Sequence, residues 1–129
     1  MAVTKAHARF IGISPLKVRL VLDVIRGKDL ILAEGLLLNM NKKGAKIVVK
    51  LLKSAAANAK NNNSIEREDL YISSTYANQG PALNRFRAAT MGRVSPIKRR
   101  TSHVTIELDY KSKRSAVTKA KTVKEGGKR

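Results

Sequence analysis

The chain has no cysteine and no tryptophan, only nine acidic residues, and no acid at all between Leu70 and Ile106. Without cysteine there is neither a disulfide nor a thiolate metal site, which is compatible with a reducing compartment. The aromatics are Phe10, Tyr71, Tyr76, Phe86 and Tyr110, too sparse for the stacking platform of a single-strand binder. No uninterrupted apolar run reaches bilayer length, and Met1-Ala2-Val3 does not open a charged-then-apolar secretory leader, so no membrane partner is expected. Neither the dinucleotide nor the Walker glycine pattern occurs. Carboxylates are scattered, and the tight group Glu66, Glu68 and Asp69 reads as a solvated surface turn rather than an acid–base site. His7 and His103 would approach each other if the first and third strands pair. Two imidazoles without cysteine or a nearby acid still make a poor zinc site, so a phosphate contact or a half-buried strand position is the better reading. No catalytic residue, metal or cofactor is expected.

What the chain does have is positive charge. Twenty-seven Lys and Arg give +18 over 129 residues, with an isoelectric point near 10.8, the electrostatic footprint of a nucleic-acid binder. Inside the acid-free stretch Arg85, Arg87, Arg93, Lys98, Arg99 and Arg100 stand unopposed. Like charges raise the energy of a compact free protein, so such a segment needs a polyanion beside it. Tyr71-Ile72 upstream and the alternating Val104-Thr105-Ile106-Glu107-Leu108 downstream read as strands carrying it outward. A long arm reaching into nucleic acid is the consequence.

The rest of the chain reads as one domain. Val3 to Ile11 place Lys5, His7 and Arg9 on one side and Ala6, Ala8 and Phe10 on the other, the period of a half-buried strand. Ser14 is placed to cap a first helix that Pro15 opens and Gly27 closes, with Val18, Val21, Leu22 and Ile25 as its apolar stripe. Lys17, Arg19 and Arg26 are left for solvent or phosphate. Asp29 is placed to cap a second helix with Ala33, Leu36, Leu37 and Met40 toward the core. A third helix runs from about Lys42 to Lys60 on Ala45, Val48, Val49, Leu52, Ala56 and Ala59, and Asn61-Asn62-Asn63 ends it. Its lysines, Lys43, Lys46, Lys50 and Lys53, are as consistent with a solvated face as with phosphate contact. The second strand is expected over about Leu70 to Asn78 and the third over about Ile97 to Leu108. Gly80-Pro81 and Ser95-Pro96 should interrupt regular pairing in the arm between them. At about 3.3 Å per residue that arm projects on the order of 30 Å. Phe86 is open to two readings, a stack on a base or packing on the opposite arm. From Tyr110 on, basic residues face Glu125 alone, so residues 110–129 are expected to be a tail disordered until bound, beside a globular domain over residues 1–109.

The string Gly80 to Ile106, GPALNRFRAATMGRVSPIKRRTSHVTI, closely resembles the hairpin of the large-subunit ribosomal protein twenty-two family. ISPLKVRLVLDVIRGK, from Ile13 to Lys28, resembles that family's first helix, and AKIVVKLLKSAAANAKNN, from Ala45 to Asn62, its third. The resemblance implies an α+β fold, with a small three-stranded antiparallel sheet packed with three helices and a long protruding β-hairpin at about residues 80–100. It implies a structural constituent of the large ribosomal subunit, not an enzyme, in the cytoplasm of a bacterium or in an organelle. The partners implied are large-subunit rRNA, neighbouring ribosomal proteins and the nascent polypeptide, with no stable homo-oligomer. The hairpin would line the nascent-peptide exit tunnel near the macrolide site, with Ala88, Ala89, Thr90, Met91, Gly92, Arg93 and Val94 at its tip.

Candidate rRNA-binding residues are Lys5, Arg9, Lys17, Arg19, Arg26, Lys28, Arg85, Arg87, Arg93, Lys98, Arg99, Arg100, Thr101, Ser102 and His103. At the apex the chain departs from the family: Ala88-Ala89-Thr90-Met91 stands where Pro-Arg-Ala and a polar or basic residue are common, and Asn84 where lysine is usual. The tip is therefore less basic. Charge alone would equally suit a DNA-compacting protein; the family-like hairpin favours the ribosome, and the absence of a carboxylate or metal cluster disfavours a nuclease.

Overall fold

Three bulges in the sheet and a run of helical stripes shape this molecule. The structure, a computed structural model, describes residues 4–111; the basic stretch from 112 onward, expected to be a disordered tail, lies outside the described residues. Element order is β1 (Thr4–Ile11), α1 (Pro15–Ile25), α2 (Leu30–Asn39), α3 (Lys43–Asn63), β2 (Leu70–Ala88) and β3 (Val94–Tyr110), with single 3-10 turns at Arg67–Asp69 and Thr90–Gly92. The strands form one antiparallel sheet in the order β1-β3-β2. This is the α+β architecture expected, and β2 with β3 makes the long hairpin.

The helices lie on one side of the sheet because each carries one apolar stripe. Val18, Val21, Leu22 and Ile25 of α1 are buried, as are Ala45, Val48, Val49, Leu52, Ala56 and Ala59 of α3. They meet Leu70, Ile72, Val104, Ile106 and Leu108 of the sheet. Full burial of each large aliphatic side chain stabilises the fold by about 1.5–3 kcal/mol. Small residues on α3 let it approach β1, while α1 lies along β2. At the outer edge of β2, Gly27 at φ 72 turns the chain so that its N–H donates to Ile72 O at 3.1 Å. The Ile72 N–H donates to Lys28 O at 2.9 Å, which covers an edge that would otherwise be open to pairing.

Several sequence expectations need correction. Phe10 does not share the buried side of β1: an extra residue at Arg9-Phe10 shifts the register against β3, so Phe10 is 66% exposed and Ile11 is buried. Ser14 and Asp29 occupy the N-cap positions with extended dihedrals but make no side-chain capping hydrogen bond. In α2 the fully buried positions are Leu30 and Ala33, with Leu37 close behind, while Leu36 and Met40 are half-buried. The asparagine run continues α3, which ends at Ser64 in the left-handed region. Gly80-Pro81 and Ser95-Pro96 do not end the strands. Gly80-Pro81 does interrupt regular pairing, as expected, with a bulge between the Gln79↔Ser102 and Ala82↔Arg100 pairs, whereas Ser95 and Pro96 pair in register with Arg87 and Phe86. A two-stranded arm has only edge strands, where proline is tolerated.

Candidate nucleic-acid interface

Beyond the bulge, register decides which side chains share a side of the arm. Ala82↔Arg100, Asn84↔Lys98, Phe86↔Pro96 and Ala88↔Val94 alternate with Leu83↔Arg99, Arg85↔Ile97 and Arg87↔Ser95, and directly paired residues project together. One side therefore carries Lys98 and Arg100 near its base and turns apolar outward at Phe86, Pro96, Ala88 and Val94. The other carries Arg85, Arg87 and Arg99. Phe86 is 75% exposed, so it does not pack into the opposite strand as a buried side chain. At the apex the Ala89 N–H donates to Arg93 O at 2.8 Å, and Met91 and Gly92 turn the chain at φ 56 and φ 69. Met91 is 98% exposed. Arg93 is the only cation of the tip residues Ala88 to Val94.

At the root of the arm, its elbow, cations from three elements converge. Lys17 of α1, Lys43 of α3, and Lys98, Arg99 and Arg100 of β3 line a cleft of about 500 Å³ together with Ser14 and Thr101. No carboxylate lines it. Cations gathered in a concavity focus a positive potential that an anion relieves. In sequence Lys43 is open between a solvated face and phosphate contact; the fold sets it beside Lys17 and beside Lys98, Arg99 and Arg100, which lie more than fifty positions further on.

Other candidates are placed differently. Arg19 spends its guanidinium on the backbone, donating from Nε at 3.1 Å and from Nη2 at 2.9 Å to Ala77 O. Arg26 donates to Thr75 O at 3.1 Å and pairs with Asp23 at 3.1 Å. These two arginines tie α1 to β2. Lys5 pairs with Glu107 at 2.9 Å, and that hydrogen bond, with the carboxylate's charge second, holds its ammonium above the ordinary lysine value. Lys28 is half-buried. Thr101 donates its hydroxyl to Pro81 O at 2.6 Å. Ser102 is fully buried, so its hydroxyl sits inside the protein and is not presented to a ligand. Arg9 is exposed on the side of the sheet away from the helices.

His103 lies opposite the bulge in β1 and next to the Gly80-Pro81 bulge of β2. Its Nδ1 accepts the Phe10 N–H at 3.0 Å, and the two rings meet edge to face with centroids 4.9 Å apart. A Cβ on Gly80 would fall 2.5 Å from Thr101 Oγ1 and 3.2 Å from this imidazole, so glycine is required there. Phe10 itself has φ 55, which costs a bulky L-residue about 1–2 kcal/mol. His7 Nδ1 is 2.9 Å from Thr105 Oγ1. The two histidines thus have separate partners, and among the described residues no group of three or more potential metal ligands occurs. No helix among the described residues is long and apolar enough to cross a membrane.

A basic two-stranded arm on a small α+β body, with a cationic cleft at its root, defines a class of nucleic-acid-binding scaffold. The comparisons with known proteins then narrow it. Residues 6–109 match the family model described as ribosomal protein L22p/L17e. A large ribosomal subunit protein uL22 of Thermus thermophilus is 50% identical over 107 residues, covering 83% of this chain and 95% of that protein. Proteins of the same name from Halothermothrix orenii and Ligilactobacillus salivarius are 45% and 47% identical over the same length, with 95% and 93% of their own chains covered. The chain belongs to the ribosomal protein L22p/L17e family.

Proposed function

We propose that this protein is a structural constituent of the large ribosomal subunit that binds large-subunit rRNA through its arm and elbow cleft and lines the nascent-peptide exit tunnel with its hairpin tip. The observation that carries it is the arm itself: Arg85, Arg87, Arg93, Lys98, Arg99 and Arg100 on a paired ribbon with no acid on it, in a chain of this family. Phosphate supplies the charge such an arm lacks. Lys17 and Lys43 extend the phosphate-binding surface across the elbow. Neighbouring ribosomal proteins and the nascent polypeptide are the further partners, in a bacterial, cytoplasmic ribosome. Holding several RNA segments from the body, the elbow and the arm at once would support subunit assembly.

The tip test separates the tunnel from general rRNA binding. With Ala88, Ala89, Thr90 and Met91 exposed at the apex, the tunnel wall presents small and apolar side chains there, and nascent acidic residues feel little attraction. Ribosomes carrying Ala89→Arg should assemble normally and remain intact through a moderate salt wash. Their pausing on particular nascent sequences, or their macrolide sensitivity, should change. Failed assembly with unchanged pausing and drug response would instead place the tip against rRNA.

A further inference from the structure

Of the non-glycine residues at positive φ among those described, Ser64 closes α3 and Met91 turns the arm's apex, whereas Phe10 sits inside a strand. Its bulge returns Ile11 to the core, a task that glycine or asparagine would perform at lower backbone cost. Core register therefore explains the bulge but not the phenylalanine. What the phenylalanine adds is a ring on the open side of the sheet, 66% exposed and braced edge to face by His103. Backbone strain of this kind points to a site when the strained side chain does something there.

Around that ring, His7, Arg9, Tyr76, Asn78 and His103 line an open cavity of about 360 Å³, in the range of small-ligand clefts. Its chemistry is specific: flat rings for stacking, an amide with both donor and acceptor groups, a guanidinium, and no carboxylate. The acid further along β3, Glu107, is already held by Lys5. A peptide that augments a sheet uses a strand edge, and this site is a sheet face. We infer that the open face seats one unpaired nucleobase of RNA, stacked against Phe10 and Tyr76, with Asn78 at the base edge and Arg9 at its phosphate. The inference rests on the rRNA-binding reading and adds a base contact where the arm and elbow offer phosphate contacts. It also revises the expectation from composition: the aromatics are few, yet two of them and both histidines gather at one place.

The full-length chain would be titrated with a five-nucleotide oligoadenosine carrying 2-aminopurine at its centre, whose fluorescence falls on stacking. Wild type should bind with quenching. Phe10→Gly relieves the backbone strain, so its melting temperature should be no lower than wild type, yet quenching should be lost and affinity for the oligonucleotide should fall on the order of tenfold. Tyr76→Ala should act in the same direction, whereas Phe86→Ala, on the arm, should leave most of the quenching in place. Unchanged affinity and quenching in Phe10→Gly would overturn the base seat, as they would if a protein segment occupies this face instead. A double Arg85→Ala, Arg87→Ala variant keeps the two readings apart. It should weaken binding with quenching retained, and if it and wild type both bind RNA poorly, the rRNA-binding reading fails and the base seat with it.

Discussion

Arginine on a basic RNA-binding protein invites a phosphate, yet Arg19 lends its forked guanidinium to a backbone carbonyl of its own chain. Charged donors to a carbonyl contribute about 1.5–3 kcal/mol each when well protected, and the exposed side chain brings the pair toward the lower end. Arg19→Ala should therefore lower stability by about 1–2 kcal/mol, read as a drop of several degrees in thermal unfolding. Arg19→Lys should not restore it, because an ammonium cannot reproduce the fork. A side chain serving only phosphate would leave melting unchanged and weaken RNA binding instead. Nothing in the sequence separates Arg19 from Lys17, two positions away. The difference is that one reaches Ala77 and the other lines the elbow cleft, and that is a property of how α1 crosses the sheet. Phe10 departs from its expected side for a similar reason: strict alternation puts it with Ala6 and Ala8, and only the pairing with β3 reveals the extra residue.

At the scale of elements, the helices were legible and the strand ends were not. Apolar residues at helical spacing give α1 and α3 directly, since each must bury one stripe on the sheet. Proline and glycine in the arm read as interruptions because they are so in a central strand; in a ribbon with two free edges they become one bulge and a tolerated pair. The bulge also has a supporting contact, since Thr101 Oγ1 donates to Pro81 O beside the glycine whose Cβ would have no room. Outward of that point, none of the arm's side chains is fully buried, while the body holds Leu22, Ile25, Leu52, Ile72, Ile106 and Leu108 at full burial. The arm thus contributes little to the burial that stabilises the fold. Replacing Asn84 to Ser95 with a short turn should leave a single cooperative unfolding transition with a midpoint close to that of the intact chain, followed by circular dichroism on heating. A lost or broadened transition would show that the body depends on the arm.

For the whole molecule, the distribution of acids matters as much as the excess of bases. Asp23, Asp29, Glu34 and Glu107 are all tied to cations of the body, at 3.1, 3.6, 3.6 and 2.9 Å. Intramolecular neutralisation is thus concentrated on the body, and the arm and elbow keep their charge for a partner. Binding to large-subunit rRNA should accordingly be dominated by counterion release. Each phosphate neutralised adds roughly 0.7–0.9 to the slope of log affinity against log salt, so six to ten contacts would cost about 10³–10⁵ in affinity between roughly 50 and 200 mM salt. Filter binding across that range, with wild type and a variant carrying Lys98→Ala, Arg99→Ala and Arg100→Ala, measures both the slope and the share of the elbow. The triple variant should bind more weakly at low salt and show a slope shallower by about two to three, one step per lost phosphate contact. A slope unchanged by the triple substitution would mean that the elbow's cations stay solvated in the complex, and a nearly flat wild-type response would rule out an interface built on phosphate.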